Sequence, residues 1–215
     1  MELQIPKRFK RLKISPIVSI SEEVKKIDED FLEKNGERIV QLQRGEINLP
    51  TPRYIRRAAK KALDDGYTKY PKSGGENTLK DAIIKRFNSD LSRENIICTS
   101  GGQEALQLSF LFFEGKKGAG FSPYWSPVLE NFVHYSNVKF RLVPLEKDFS
   151  IDFSKLEKTL KDVKFFYINS PHNPTGKVFS EEDLRRVAEL CEKRGVFLIS
   201  DEAYSDIVYD KEHFS

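Results

Sequence analysis

The stretch KFFYINSPHNPTG, at residues 164–176, decides the fold class of this chain of 215 residues. It begins as a short apolar run of the length expected for a strand that is buried on both faces, and it continues as a loop stiffened by two prolines. A second apolar run, VFLIS at residues 196–200, is followed directly by DEAY. Between the runs, Ser180 opens a helical pattern that Gly195 ends. The stretch therefore predicts a strand, a covering helix and a second strand.

The same alternation extends upstream. Three further short apolar runs predict strands, and helical patterns alternate with them. Strands that alternate with helices predict an α/β fold, with a mostly parallel sheet covered by helices on both faces. Residues 1–43 predict an arm followed by a helix around residues 20–32, and two more helices are predicted from Pro52 and around residues 79–87. The three runs are residues 95–99, a run that ends at Ser122, and residues 140–145.

Composition excludes several classes of partner and site. The 36 Lys and Arg residues against 33 Asp and Glu leave a net charge of +3, which is too mild to indicate a nucleic-acid partner. The chain contains no run of about 18 apolar residues, so a membrane protein is not expected. Cys98 and Cys191 lie in apolar runs and are expected to be buried thiols rather than a disulfide. With 3 His and no CxxC pair, a metal site is not expected either. These features fit a protein of the reducing cytoplasm.

Ligands bind beyond the carboxyl ends of the strands in open sheets of this class, so the residues that follow each run form the candidate site. The segment SGGQ at residues 100–103 precedes a helix, whose free N–H groups and dipole favour an anion such as a phosphate. The alternative is a plain tight turn. Trp125 follows the second run, where its ring either stacks on a flat ligand or belongs to the core.

Polar groups also follow the last two runs. Asn173 lies in the proline-stiffened loop, where its amide either donates to a ligand oxygen or closes an Asx-turn on its own backbone. His172 beside it is expected to be a surface residue of the loop without a role. Asp201 follows a fully apolar run, where a carboxylate is costly unless it meets a cation. The alternatives for Asp201 are a structural salt bridge and a helix cap. Tyr204 adds a phenol to the same segment.

These groups form a set that matches one kind of ligand. A phosphate cradle, an indole, an amide donor, a phenol and a carboxylate are what a phosphorylated pyridine ring with a protonated nitrogen would use. Pyridoxal 5′-phosphate is that molecule. A carboxylate beside its ring nitrogen stabilises the pyridinium, which serves as the electron sink for a carbanion.

From about residue 15 to its last residues, the sequence resembles the class I/II, aspartate-aminotransferase-like branch of the fold-type I pyridoxal-phosphate (PLP) enzymes. The motifs that carry the resemblance are TSGGQEAL at residues 99–106, PYW at 123–125, NSPHNPTG at 169–176 and SDEAY at 200–204, of which the last two are highly specific together. The resemblance implies the large-domain fold of the PLP-dependent transferases, truncated before its C-terminal part. Residues 1–44 would be an N-terminal arm and part of the small domain, and residues 45–215 an incomplete PLP-binding large domain. It also implies a homodimer.

The resemblance assigns roles to individual residues. Asp201 would pair with the ring nitrogen and serve catalysis, and Trp125 would stack on the pyridine ring. Asn173 and Tyr204 would bond the phenolic oxygen of the ring. Phosphate binding would fall to Gly101, Gly102 and Gln103. Tyr70, a catalytic residue, would reach across the dimer interface to the partner's phosphate. Gly45 would lie near the substrate's carboxylate.

The implied activity is that of an aminotransferase, which moves an amino group between an amino acid and a 2-oxo acid. The family's chemistry needs a Schiff-base lysine, which follows the Asp201 position in a Ser-x-Ser/Gly-Lys type motif. Here only Lys211 follows Asp201, without that motif, and it is expected to be a solvated surface residue. We therefore predict that the chain alone, mixed with pyridoxal 5′-phosphate and an amino donor, forms no oxo-acid product. Steady product formation would contradict this prediction.

Other functions stay open at this point. The same half-site would serve a PLP-dependent β-lyase or a cyclopropane-forming synthase. A non-catalytic function, as a truncated cofactor-binding or dimerising module, is a further alternative. A nucleotide-binding domain that uses residues 100–102 as its phosphate loop is the poorest of these, because the chain lacks both G-x-G-x-x-G and G-x-x-x-x-G-K-[ST].

Overall fold

The computed structural model describes residues 16–215 apart from residues 43, 44, 46, 48, 88 and 89. Residues 1–15 of the predicted arm lie outside the described residues. The chain clusters into two compact units, Ile20–Gly101 and a larger unit that contains Gly102–Ser215. None of the helices in the described part of the chain is long and apolar enough to cross a membrane.

The regular structure of the unit Ile20–Gly101 is helical. α1 (Pro16–Asn35) begins just ahead of this unit, and α2 (Arg53–Asp64) and α3 (Asn77–Phe87) follow within it. These elements confirm three predicted helices. α2 begins directly after Pro52, which is tolerated at a helix start because the missing N–H would have no partner there.

The predicted strand at residues 95–99 is wrong. Arg93–Asn95 form a short 3₁₀ helix instead. The side-chain oxygen of Asn95 accepts hydrogen bonds from the backbone N–H and the hydroxyl of Ser92, each at 2.9 Å, and so closes a turn. Beyond this turn, the N–H of Cys98 donates to the carbonyl of Gly74 in a loop. Ile97 is 73% exposed, so the apolar run is not buried on both faces.

The larger unit contains the sheet. Its strands are β1 (Lys117–Ser122), β2 (Lys139–Pro144), β3 (Phe165–Asn169) and β4 (Phe197–Asp201). Its helices are α4 (Gly102–Phe112), α5 (Phe153–Leu160) and α6 (Glu181–Arg194), with a π-helical segment at Val128–Val133. The strands are parallel and lie in the order β2-β1-β3-β4. This arrangement confirms the predicted α/β fold with a mostly parallel sheet.

Helices cover both faces of the sheet, as predicted. Successive side chains of a strand point to opposite faces, so Phe166 and Ile168 of β3 pack into one buried cluster whereas Phe165 and Tyr167 pack into another. α5 and α6 contribute to the first cluster, and α4 and the π-helical segment contribute to the second. We call the second one the aromatic cluster, because its buried residues include Phe110, Phe113, Phe132, Phe165 and Tyr167.

β4 is less buried than its apolar sequence predicts. It stands at one end of the strand order, so β3 is its only strand neighbour within the described residues. As a result Phe197 is 63% exposed and Leu198 is 37% exposed. An apolar run indicates a strand, but it does not show how many strands lie beside it.

The two ends of α6 are capped as the sequence predicts. The hydroxyl of Ser180 accepts a hydrogen bond from the N–H of Asp183 at 3.1 Å, and Gly195 ends the helix with φ +60°. Because Ser180→Ala removes the N-cap acceptor, we expect it to lower the free energy of unfolding by about 1 kcal/mol. Ser180→Thr keeps this acceptor and also the hydroxyl that donates to the carboxylate of Asp183 at 2.8 Å, so it should stay within about 0.5 kcal/mol of the wild type. Urea unfolding checks this, and equal stability of S180A and the wild type would contradict it.

Candidate active site

A cavity of ≈ 160 Å³ opens at the carboxyl end of the sheet, within the larger unit. Asn169 and Asp201, the last residues of β3 and β4, form part of its wall. The structure therefore brings together the groups that follow the strands. The lining residues are the predicted Gly102, Gln103, Trp125, Asn173, Asp201 and Tyr204, together with Leu106, Asn169 and Ala203.

The first turn of α4 forms one side of the cavity. This helix begins at Gly102, and Gln103 follows it. The first four N–H groups of a helix have no intrahelical partner, and they carry the positive end of the helix dipole. The side of the cavity that these two residues form is therefore suited to an anion.

Three predicted residues lie in the unit Ile20–Gly101, not in the unit that holds the cavity. Gly101 adopts φ +85°, and its N–H donates to the carbonyl of Thr99 at 2.8 Å. Tyr70 is fully exposed, and Gly45 lies in an irregular segment. Their roles in phosphate binding, at a dimer interface and at the substrate's carboxylate stay predictions.

Trp125 forms a second side of the cavity. It follows β1 by three residues, is half-buried, and packs against the aromatic cluster. Its ring centroid lies 5.8 Å from that of Phe132. Core packing thus holds an indole at the cavity wall, where a flat ligand could lie against it.

Asn169 joins the ends of β3 and β4 to the loop that follows β3. Its amide nitrogen donates to the carbonyl of Asp201 at 2.8 Å, and its side-chain oxygen accepts from the N–H of Asn173 at 2.7 Å. We call this pair of bonds the amide clamp. The Asn173 amide then donates to the hydroxyl of Tyr204 at 3.3 Å instead of closing an Asx-turn on its own backbone. The clamp and this third bond together bring the Asn173 amide and the Tyr204 phenol side by side at the cavity.

Within the part of the chain that the structure describes, the carboxylate of Asp201 has two hydrogen-bond donors, and neither of them is charged. Its Oδ2 accepts from the hydroxyl of Tyr167 at 2.7 Å, and its Oδ1 accepts from the N–H of Ala203 at 3.2 Å. Burial raises the pKa of Tyr167 above its usual range, and the negative charge of Asp201 adds to this effect. The phenol therefore keeps its proton and remains a donor. These bonds orient the carboxylate without neutralising it, and the cavity keeps an acid that could balance a cationic ligand.

The sequence patterns do not assign an individual role to Tyr167, Asn169, Ala203 or Leu106. The two-residue period of β3 would have found two of these residues. It places Tyr167 and Asn169 on one face of the strand, four and two positions ahead of Pro171. Ala203 contributes through its backbone N–H, which no side-chain pattern reveals.

His172 is buried, and the expectation of a surface histidine is wrong. His172 is only 4% exposed. Its Nδ1 lies 2.7 Å from the hydroxyl of Thr175, and its ring contacts the ring of Phe179 edge to face. Burial lowers the pKa of the imidazole, although a hydrogen bond with the carbonyl of Pro123 acts in the opposite direction. The proline-stiffened loop folds back over this ring, which a polar loop sequence does not indicate.

From the lowered pKa of His172 we predict how the stability of the protein depends on pH. The unfolded chain binds more protons than the folded chain between the two pKa values, so stability rises with pH in that window. The stabilisation that depends on the neutral ring is complete above the usual pKa of 6.5 and is lost as the pH falls through the folded value. We expect the wild type to lose more stability than His172→Gln between about pH 7.5 and 5.5. Urea unfolding across this range checks it, and parallel pH profiles would contradict it.

Two further findings concern the chemistry that the site can perform. Across the residues that the structure describes, no group of three or more His, Cys, Asp or Glu side chains could hold a metal ion. Lys211 is exposed, in agreement with its expected place at the surface. The groups at the cavity are thus hydrogen-bond donors, one carboxylate and one indole.

Comparisons with known proteins identify the family. The family model described as aminotransferase class I and II matches residues 37–215. A probable aspartate aminotransferase of Methanocaldococcus jannaschii is 36% identical over 177 residues, which cover 80% of this chain and 47% of that protein. A probable aspartate/prephenate aminotransferase of Aquifex aeolicus is 34% identical over 223 residues, covering 100% of this chain and 55% of that protein.

Solved structures agree with the sequence relatives. The aspartate aminotransferase of Thermus thermophilus with maleate matches with a TM-score of 0.90 and 29% identity, over 100% of this chain and 57% of that one. The chain spans about half the length of the curated relatives that it matches. With a family model that covers most of its residues, and with a fold shared with these enzymes, the chain belongs to the class I and II aminotransferase family.

Proposed function

We propose that this protein is a pyridoxal-phosphate-dependent aminotransferase, which moves an amino group between an amino acid and a 2-oxo acid. The observation that carries the proposal is the setting of Asp201, an acid at the cavity wall whose two hydrogen-bond partners among the described residues are uncharged donors. A protonated pyridine nitrogen is the kind of cation that such an acid binds. Membership of the aminotransferase family supports the same reaction class.

The residues around the cavity fit this cofactor. N–H groups at the start of α4 suit its phosphate, the Asn173 amide and the Tyr204 phenol suit its phenolic oxygen, and Trp125 offers a flat face for its ring. When bound, pyridoxal phosphate supplies an electron sink for negative charge on the substrate carbon. The side chains named here would hold the ring, and Asp201 would keep its nitrogen protonated.

Further parts of the proposal concern the rest of the protein. Residues 45–215 would belong to the cofactor-binding large domain, and residues 1–44 would form an arm and part of the small domain. The protein would act as a homodimer in which Gly101 helps to bind phosphate and Tyr70 reaches the partner's phosphate, with Gly45 near the substrate's carboxylate. A cytoplasmic location accords with the two free cysteines.

Pyridoxamine 5′-phosphate tests the site directly, since it carries the ring, the phenolic oxygen and the phosphate but needs no lysine to bind. Titration into the chain can be followed by the fluorescence of Trp125, the single tryptophan. We expect saturable binding of one ligand per chain. Pyridoxamine without phosphate should bind about tenfold more weakly or worse. Failure of the phosphorylated ligand to bind, or binding of a dinucleotide instead, would contradict the proposal.

The reaction class is tested with the complete gene product. Aspartate is the first amino donor to try, because several relatives are named for it, with a 2-oxo acid as acceptor. Conversion of aspartate to its oxo acid, with amination of the acceptor, is the expected result. Release of ammonia from a β-substituted amino acid, without transfer to the acceptor, would instead identify a β-lyase.

A further inference from the structure

We propose that Tyr167 is a positioning residue of this site, whose phenol holds the Asp201 carboxylate in place so that it can pair with a protonated ring nitrogen. This inference rests on the proposed function. Tyr167 is not among the residues that line the cavity, so it would act on a ligand only through Asp201.

The burial and packing of Tyr167 define the position of its phenol. Tyr167 lies in the middle of β3 and is 4% exposed. Its ring packs in the aromatic cluster, with its centroid 6.0 Å from that of Phe110. β3 pairs with β4 so that Tyr167 faces Ile199 and Asn169 faces Asp201. The phenol therefore reaches along the sheet to the carboxylate from a buried position in β3, and it donates to Oδ2 at 2.7 Å.

The chemistry of the donor also favours this role. An Arg or Lys beside Asp201 would orient the acid equally well, but its charge would compete with a cationic ligand. A phenol orients a carboxylate by donating a hydrogen bond to it, and it adds no positive charge beside that carboxylate. Burial and the nearby charge hold the proton on Tyr167. The pair thus offers an oriented anion to the cavity.

We expect removal of the Tyr167 hydroxyl to weaken the interaction of Asp201 with a ring nitrogen and to change little else in the site. Tyr167→Phe keeps the packed ring and deletes one donor to a charged group. We expect it to weaken the binding of pyridoxamine 5′-phosphate about tenfold. The 1-deaza analogue, in which a carbon replaces the ring nitrogen, should bind the wild type and the variant within about twofold of each other.

A matched control separates this effect from the loss of any phenol. Tyr124 is half-buried against the same aromatic cluster and does not line the cavity. Tyr124→Phe should leave the affinity for both ligands within about twofold of the wild type. In a background of Asp201→Asn, Tyr167→Phe should have no further effect on pyridoxamine 5′-phosphate, because the charge on which it acts is gone.

A spectroscopic measurement distinguishes an effect of Tyr167 on the ring nitrogen of the ligand from a general contribution of Tyr167 to the stability of the fold. Without the phenol, the carboxylate is no longer held towards the ring nitrogen, so the charge pair that keeps the proton on this nitrogen is weakened. The ¹⁵N chemical shift of ring-labelled pyridoxamine 5′-phosphate should therefore move towards that of a neutral pyridine in Y167F and stay at the wild-type value in Y124F. Circular dichroism and urea unfolding establish that both variants are folded.

The outcomes are distinct. If the wild type binds neither ligand, the proposed function fails and the role of Tyr167 falls with it. If the wild type binds pyridoxamine 5′-phosphate and Y167F binds it equally well with the same ¹⁵N shift, only the inference about Tyr167 is overturned. Equal weakening of both ligands in Y167F would also overturn it, since that result indicates general damage to the cavity.

Discussion

Asp201→Asn is expected to weaken the binding of pyridoxamine 5′-phosphate by two to three orders of magnitude. Breaking a charge pair in a site shielded from water costs about 3–5 kcal/mol, and each ~1.4 kcal/mol is a tenfold change in affinity. Asp201 is half-buried, which favours the lower part of that range. Asparagine keeps the shape of the side chain and one oxygen that can accept from Tyr167. Trp125 fluorescence titration measures the change.

Glu202→Gln is the matched control for this substitution. Glu202 is the next residue in the chain, and its carboxylate accepts hydrogen bonds from Ser200 at 2.8 Å and Ser215 at 3.1 Å. It does not line the cavity. We expect E202Q to stay within about twofold of the wild-type affinity. Similar losses in both variants would mean that the total charge of the segment matters, and not a pair with the ring nitrogen.

Phe110→Ala is expected to lower the free energy of unfolding by about 3–5 kcal/mol, the usual cost of deleting a buried aromatic ring. Phe110 is 0% exposed and lies at the centre of the aromatic cluster. Four other rings have centroids within 6.0 Å of its own, so its removal leaves a cavity that few neighbours can fill. The four rings are those of Phe132, Phe140, Phe165 and Tyr167.

Phe112→Ala provides the comparison from the same helix. Phe112 is 76% exposed, so we expect a change in the free energy of unfolding of about 0.5 kcal/mol or less. Urea unfolding measures both variants, and Trp125 reports on the aromatic cluster because it packs against it. If F110A were no less stable than F112A, the aromatic cluster would not be the core of this unit.

The alternation of strands and helices from residue 102 onwards was predictable because each element carries its own local signal. β3 is a fully buried apolar run, and α6 has a serine cap at one end and a glycine stop at the other. These signals depend on a few neighbouring residues, and tertiary contacts reinforce them. The polar groups that end the strands could be predicted as a set for the same reason.

The remaining features depend on distant contacts. Residues 95–99 have a strand-like sequence, but Ser92 and Asn95 close a turn at their start. The exposure of β4 follows from its place at the end of the strand order, and the burial of His172 follows from the packing of its loop on Phe179. The bond from Tyr167 to Asp201 joins residues 34 positions apart. No pattern within one segment contains these facts.

The amide clamp couples the cavity to the register between β3 and β4. Asn169 faces Asp201 across β3 and β4, and its amide donates to the carbonyl of that same residue. A slip of one residue between these strands would turn the acid to the other face of the sheet, and a slip of two would move it away from the clamp. A ligand held by Asp201 and Asn173 at once would therefore bind only the correctly aligned pair. By mass action, such a ligand would act as a template that selects the native alignment of β4, the most exposed strand of this sheet after β2.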